Sequence, residues 1–278
     1  MRVFHHQAEL QAALRALRPN GIGLVPTMGA LHEGHLSLIR ASQAHNRTTV
    51  CTIFVNPAQF DNPQDLAHYP RTLEADLALL AAVGCDLVFA PTEAEIYPAP
   101  PVTKLGFGPL EQVLESQHRP GHFAGVGLVV SKLFNMVQPD RAYFGQKDLQ
   151  QCQVVQQLIT DLAWGIELHR CPIIREPDGL AMSSRNRRLL PADRAAAPHL
   201  YAALRQVQSA LVQQASIDQA KAGAMDYLNS FGTFNVEYLE VAETNTLQPV
   251  KILTEGREHA ILVAAHLGQV RLIDNIIL

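Results

Sequence analysis

Residues 21–35 read GIGLVPTMGALHEGH. Gly21–Val25 reads as a buried strand, and apolar Leu36 and Ile39 with Arg40 repeat at helical spacing from about Gly34 to Asn46. A strand therefore runs through a glycine-bearing turn straight into a helix. Such a helix start offers free backbone N–H groups and the positive end of its dipole, which suits a phosphate. Gly29 and Gly34 let the backbone approach a ligand closely. His32 and His35 share one side of the turn, and imidazole can donate to phosphate oxygens as charge moves onto a leaving group. No Gly-Lys-Ser/Thr follows, so this is not a Walker A loop. For an isolated pair of histidines, a capping residue and a surface residue would be the simpler account. Two spaced histidines with two glycines at the end of a parallel strand favour ligand binding. A zinc site would need further ligands; His118 and His122 could be offered, but no suitable spacing results.

The same alternation continues outward. Thr48–Val55 reads as a β-branched strand, and a helix opens at Thr72, runs through Leu73, Leu77 and Leu80, and stops at Gly84. Cys85–Ala90 reads as a strand, Gly127–Val137 as a helix, Arg141–Gly145 as a strand, Leu149–Leu162 as a helix and Ile166–Ile174 as a strand. This order predicts an α/β, Rossmann-like parallel sheet with helices on both faces. Ligands bind such sheets beyond the carboxyl ends of the strands, so the loops after Val25, Val55, Ala90, Gly145 and Ile174 are expected to converge on one crevice.

The pattern changes at Arg175-Glu-Pro-Asp-Gly179, a turn-rich joint. Helical stretches about Ala192–Gln214 and Ile217–Phe231 follow, then strand-like Phe234–Val241 and Ala260–Leu267. The expected organisation is a first domain over residues 1–174 and a smaller α+β domain over 175–278.

Two later segments add chemistry. In Phe144–Gln151 (FGQKDLQQ), Lys147 can neutralise phosphate charge and Asp148 can meet a ribose hydroxyl or hold a base. Gln151 lies about one helical turn on and can point into the same crevice. In Met182–Asn186 (MSSRN), two hydroxyls and a guanidinium suit a triphosphate. Of Arg185, Arg187 and Arg188, only Arg185 is read as functional. Arg119 and His122 flank a loop before a helix, and their roles stay open between surface support and phosphate contact. No Ser–His–Asp or Cys–His set suggests a covalent acyl-enzyme.

Composition sets bounds. The chain has 278 residues, 47% hydrophobic and 17% charged, enough apolar material for a real core. A formal net charge of −4 makes it a poor nucleic-acid binder by bulk charge. The four cysteines form no CxxC pair and are expected to be buried, reduced thiols. No apolar stretch suggests a secretory signal or a membrane span, and the expected location is the cytoplasm.

The motifs PTMGALHEGH, FVNPAQF, YPRTLEADL, GHFAGV, FGQKDLQQ and GLAMSSRN occur in this order. Together they resemble the pantothenate synthetase (pantoate–β-alanine ligase) family of the nucleotidylyltransferase superfamily. The resemblance implies ATP-dependent condensation of pantoate with β-alanine through a pantoyl adenylate, with Mg2+ present and AMP and pyrophosphate released. It also implies a homodimer whose C-terminal domain acts as a lid.

By that resemblance the ATP-binding residues are Met28, Gly29, Ala30, Leu31, His32, Glu33, Gly34, His35, Gly145, Gln146, Lys147, Asp148, Ile174, Met182, Ser183, Ser184 and Arg185. His35 matches the residue usually named as proton donor, with His32 and Lys147 beside it in catalysis, and Ile174 matches a backbone contact to adenine. Gln59 and Gln151 match contacts to pantoate, Gln59 also to β-alanine, and Asp76 is expected to help organise the metal. Gln146 and Ala58 stand where Glu and Thr are common in the family. A related alternative, transfer of AMP to a phosphorylated acceptor, would want a more basic acceptor pocket than two glutamines provide. A non-catalytic nucleotide- or RNA-binding module would show decayed motifs and a basic surface.

Overall fold

A computed structural model describes residues 1–278, the side chain of Asn20 excepted. A short edge strand β1 (Arg2–Phe4) and helix α1 (Gln7–Arg15) precede β2 (Ile22–Thr27), α2 (Glu33–His45) and β3 (Thr48–Ile53). Helices α3 (Pro63–Ala67) and α4 (Leu73–Ala82) lead to β4 (Leu87–Phe89) and α5 (Glu93–Ile96). Then come α6 (Glu115–His118), α7 (His122–Val137), β5 (Arg141–Gly145), α8 (Leu149–Asp161) and β6 (Glu167–Cys171). These strands form one six-stranded sheet of order β1-β4-β3-β2-β5-β6, parallel throughout.

Successive residues of a strand face opposite layers, and the register keeps each layer apolar. Leu24, Val50 and Leu87 stand side by side and face the core shared with α1, α7 and α8. Val25, Cys51 and Val88, one position on, face Leu38 and Ile39 of α2 and Leu80 of α4. All four cysteines are buried and unpaired with one another.

Three elements depart from the pattern read in the sequence. β1 has only three residues, too few for a periodic signal, and it adds an edge strand beside β4. Helix α7 opens at His122, five residues before Gly127, because Gly125 and Gly127 serve close packing rather than a turn. A Cβ on Gly125 would lie 2.1 Å from the carbonyl oxygen of Ala58. The stretch 192–214 is two helices, α9 (Pro191–Ala196) and α10 (His199–Val212), with Pro198 at the start of the second. Proline lacks the N–H that a continuous helix would need there.

Beyond α11 (Ile217–Asn229), strands β7 (Phe234–Glu243), β8 (His259–Leu267) and β9 (Val270–Ile277) form a small antiparallel sheet. Val241, Ile261 and Val263 pack with Leu204 and Val207 of α10. Ala260 and Leu262 join the main core beneath the parallel sheet. β9 breaks the expected alternation because Asp274 and Asn275 are 4% and 2% exposed. Among the described residues, no helix is long and apolar enough to cross a membrane.

Candidate active site

The order of strands reverses direction around β2, which lies between β3 and β5. At the carboxyl end of such a sheet the loops diverge and leave a crevice. A cavity of about 200 Å3 lies there, lined by Pro26–Met28 at the end of β2, Phe54, Asn56 and Gln59 after β3, Gly145, Lys147 and Asp148 at the end of β5 and just beyond it, and Pro172–Ile174 after β6. Four of the five expected loops converge. The loop after Ala90 stays aside, though Tyr97 from that segment donates its hydroxyl to Asn56 Oδ1 at 2.8 Å.

The turn after β2 is held from both sides. Gly29 sits at φ +81° and Ala30 at φ +50°, and a Cβ on Gly29 would lie 3.0 Å from Asp76 Oδ2. A left-handed alanine costs roughly 1–3 kcal/mol and persists only where its surroundings enforce it. Asp76 supplies much of that enforcement. Its two oxygens accept the amides of Ala30 at 2.9 Å and Leu31 at 2.7 Å, and Thr72 donates its hydroxyl to the same carboxylate. Ser184 Oγ donates to the Ala30 carbonyl at 2.9 Å, and Arg187 donates to that of Leu31 at 3.3 Å. Asp76 is therefore a brace of the turn. Its carboxylate is 2% exposed and both oxygens are committed.

The histidines cap the helix that follows. His32 Nδ1 accepts the amide of Gly34 at 3.2 Å, and His35 Nδ1 accepts the amide of His32 at 3.3 Å. A ring whose Nδ1 accepts carries its proton on Nε2. Burial pushes His32 down to about 4, with Lys147 and Arg187 adding to the effect. Burial also holds His35 well below the ordinary histidine range, reinforced by His32 and Lys147. Both rings are thus neutral near pH 7, each with an Nε2–H left to donate, and their centroids are 4.1 Å apart.

The turn after β3 is built around a buried asparagine. Asn56 Nδ2 donates to Gln59 Oε1 at 3.0 Å and to the Gly125 carbonyl at 3.1 Å. Gln59 Nε2 lies 3.2 Å from Met28 Sδ, so it bridges the two turns. His122 Nδ1 donates to the Gln59 carbonyl at 2.8 Å, and its Nε2 then accepts from Arg119 at 3.3 Å. Burial, then the nearby Arg119 charge, lowers His122 to about 4, which agrees with that neutral tautomer. The two residues left open in the sequence thus support the Gln59 turn from behind. Neither lines this first cavity, but Arg119 lines the adjoining one together with Lys147 and Arg185.

Gln151 lines the cavity from the first turn of α8. Its neighbour Gln150 faces away and donates to the carbonyls of Leu110 and Val113. Val126, Val129, Val130 and Leu133 of α7 add an apolar wall to the same cavity. The carbonyl of Ile174 accepts the amide of Met182 at 3.0 Å, which lays the Met182–Arg185 segment along the opposite rim. Ser183 caps the short turn Ser184–Arg188 by accepting the amide of Arg185. Arg185 pairs with Asp65 at 2.9 Å, and Arg188 reaches the same carboxylate at 2.7 Å. Lys147, Asp148, Ser183 and Arg185 also line a second cavity of about 480 Å3, so the cleft continues past them between the sheet and the C-terminal unit.

Of the residues expected to bind nucleotide, Met28, His32, Gly34, His35, Gly145, Lys147, Asp148, Ile174, Met182, Ser183, Ser184 and Arg185 line the first cavity. Gly29, Ala30, Leu31, Glu33 and Gln146 do not. Ala30 and Leu31 are buried at 0% and 1%, and the exposed Glu33 pairs with Arg40. Gln146 points its amide at Asn275 of β9 instead. The sequence reading missed Tyr69, which is 6% exposed and lines the cavity beside Arg185, although it stands in the YPRTLEADL motif. It also missed the Val126–Leu133 wall, whose residues look like ordinary helix core. Among the described residues, no three His, Cys, Asp or Glu side chains gather as a metal-binding group.

Known proteins match this arrangement along the whole chain. The family model described as pantoate–β-alanine ligase matches residues 2–277. The pantothenate synthetase of Cereibacter sphaeroides is 48% identical over 272 residues, covering 97% of this chain and 96% of that protein. That of Cytophaga hutchinsonii is 45% identical over 273 residues, covering 98% and 96%. The solved pantothenate synthetase of Thermus thermophilus superposes with a TM-score of 0.94 at 43% identity, covering 99% of both chains. A pantoate–β-alanine ligase from Francisella tularensis, solved with β-γ ATP and β-alanine, gives 0.84 at 34% identity over 99% of this chain and 97% of that one. The chain belongs to the pantoate–β-alanine ligase family, enzymes that form an amide bond.

Proposed function

We propose that this protein condenses pantoate with β-alanine by first transferring AMP from ATP to the pantoate carboxylate. The observation that carries this reading is the shared cavity. Two neutral amides, Gln59 and Gln151, stand there with the apolar wall of α7 on one side and the phosphate-binding groups of three loops on the other. A small branched hydroxy acid fits such a wall, and neutral amides can hold its hydroxyls without burying another charge. The ATP and β-alanine bound to the Francisella relative support the choice of partners.

The residues divide the work. Lys147, Arg185 and the hydroxyl of Ser183 meet the phosphates and offset the charge that builds as pyrophosphate leaves. His32 and His35 act as neutral Nε2–H donors at the same centre, so they stabilise developing charge without first having to bind a proton. Placing the carboxylate in line with the α-phosphorus supplies a further share of the rate. The amine of β-alanine then displaces AMP, in a cleft closed on one side by the C-terminal sheet, where water is kept from the acyl adenylate.

Mg2+ enters in this reading as the counter-ion of ATP. The donor set fits an ion carried mainly by phosphates, because Asp148 is the carboxylate that lines both cavities. We place the enzyme in the cytoplasm as a homodimer, a state that sedimentation at working concentration checks.

The assay is direct. Incubation with ATP, Mg2+, pantoate and β-alanine yields AMP and pyrophosphate in equal amounts. Omitting pantoate abolishes both; AMP release that ignores the omission of pantoate sinks the reading.

A further inference from the structure

The last strand of the chain reaches the nucleotide cleft through two consecutive buried polar residues. Asn275 Nδ2 donates to the carbonyls of Gln146 at 2.9 Å and Lys147 at 3.1 Å. Its Oδ1 accepts from Gln146 Nε2 at 3.1 Å, so the side-chain amide is matched to this one turn on both sides. Asp274 turns to the other loop. Its carboxylate receives both terminal nitrogens of Arg175, at 2.6 and 3.0 Å, and the amide of Asn275 at 2.7 Å. Arg175 is itself held over the Tyr201 ring, 3.6 Å from its centroid, and donates to the Gly179 carbonyl at 3.1 Å. It directly follows Ile174 and bridges to Ala181, which directly precedes Met182.

The two loops secured in this way both line the nucleotide cavity, one with Lys147 and the other with Ile174 and Met182. Neither Asp274 nor Asn275 lines that cavity itself, though Asp274 lines the adjoining one. A buried asparagine that only filled space in a strand would be costly, since leaving its amide unmatched carries a desolvation penalty. Here the match is to main-chain atoms of the turn that bears Lys147. The carbonyl of Lys147 is fixed, and with it the point from which its ammonium reaches into the cleft.

We propose that Asn275 is a positioning residue for Lys147, with Asp274 doing the same for the Ile174–Met182 rim through Arg175, so that the C-terminal sheet sets the geometry of nucleotide binding. The proposal rests on the reading that Lys147 meets the phosphates of ATP. It gives β9 a part in chemistry that the resemblance leaves without assigned sites.

The test uses the full-length enzyme with Asn275→Ala and the shape-preserving Asn275→Asp, each alone and the first also in a Lys147→Ala background. Binding of a non-hydrolysable ATP analogue and KM for pantoate are measured, with circular dichroism as the check on folding. The expected result is nucleotide affinity weakened roughly tenfold or more in both single variants, with KM for pantoate within about twofold of wild type. In the Lys147→Ala background, Asn275→Ala should weaken nucleotide no further, because its effect runs through the missing ammonium. Wild-type nucleotide affinity in both single variants overturns the proposal. So does an equal loss with and without Lys147, and so does failure of both variants to fold, since either makes the contact merely structural. Wild-type nucleotide affinity in Lys147→Ala alone instead sinks the phosphate role of Lys147, whatever the Asn275 variants do.

Discussion

Asp76 Oδ2 accepts the amide of Ala30 at 2.9 Å, and Ala30 is held at φ +50°. A left-handed alanine in the phosphate turn is thus tied to a carboxylate 46 positions away on α4. Asp76→Ala leaves the amides of both Ala30 and Leu31 buried without these acceptors, at roughly 1–3 kcal/mol each. The expected outcome is a lower melting temperature and a raised KM for ATP. The Mg2+ concentration giving half-maximal activity should not change at saturating ATP. A Mg2+ requirement shifted in proportion to the loss of activity would favour a metal role for Asp76 and contradict the brace.

The neutral histidines make a prediction about pH. Burial lowers His32 and His122 to about 4 in the folded protein and holds His35 well below the ordinary histidine range, against about 6.5 when unfolded. Between those values the unfolded chain binds protons that the folded chain does not, so stability falls as pH drops from about 6.5 to about 4. A depression of this size corresponds to about 3 kcal/mol for each of His32 and His122, as an order of magnitude. Urea midpoints measured across that window should decline steadily. NMR titration of the ligand-free enzyme should show the His32 ring still neutral at pH 6; a midpoint at 6.5 would contradict the assignment.

Gln59 and Gln151 should separate pantoate from nucleotide. Gln59→Leu keeps bulk but removes the amide, and a site built to hydrogen-bond a substrate rejects what it can no longer pair. KM for pantoate should rise by roughly tenfold or more while KM for ATP stays within about twofold. An effect confined to ATP would reverse the division of the cavity.

The joint between the two sheets carries a buried ion pair. Arg271 of β9 donates to both oxygens of Glu115, at 2.6 and 2.8 Å, and Tyr238 donates to the same carboxylate at 2.6 Å. Burial works against the Glu115 carboxylate, yet Arg271 and Tyr238 together hold it down to about 2. Removing one partner of such a pair strands the other charge, at about 3–5 kcal/mol. Arg271→Ala should therefore lower the stability measured by denaturant by that amount. A loss below about 1 kcal/mol would show the pair to be no better than an exposed one.

Much of this was legible in the sequence, for local reasons. The strand-turn-helix units around Val25 and Gly145 announce themselves because apolar runs end in glycine and polar residues within a few positions. The residues that meet in the cavity follow those strand ends, and sheet topology alone brings them together. What stayed hidden depends on distant partners. Nothing in the sequence pairs Asp76 with the amides of Ala30 and Leu31, 46 and 45 positions away. Gln146 sits between two cavity residues, yet its amide turns to Asn275, 129 positions on. Asp274 and Asn275 made β9 illegible as a strand, because polar side chains at buried positions interrupt the apolar alternation on which the reading depends.

The central claim is that the cavity makes an acyl adenylate from pantoate. Exchange of labelled pyrophosphate into ATP tests it most directly, because it reads the reverse of adenylation without the second step. With pantoate present and β-alanine absent, the enzyme should exchange label, and His35→Ala should slow that exchange by roughly a hundredfold or more while leaving the protein folded. No exchange without β-alanine, or exchange that proceeds equally well without pantoate, would contradict the account.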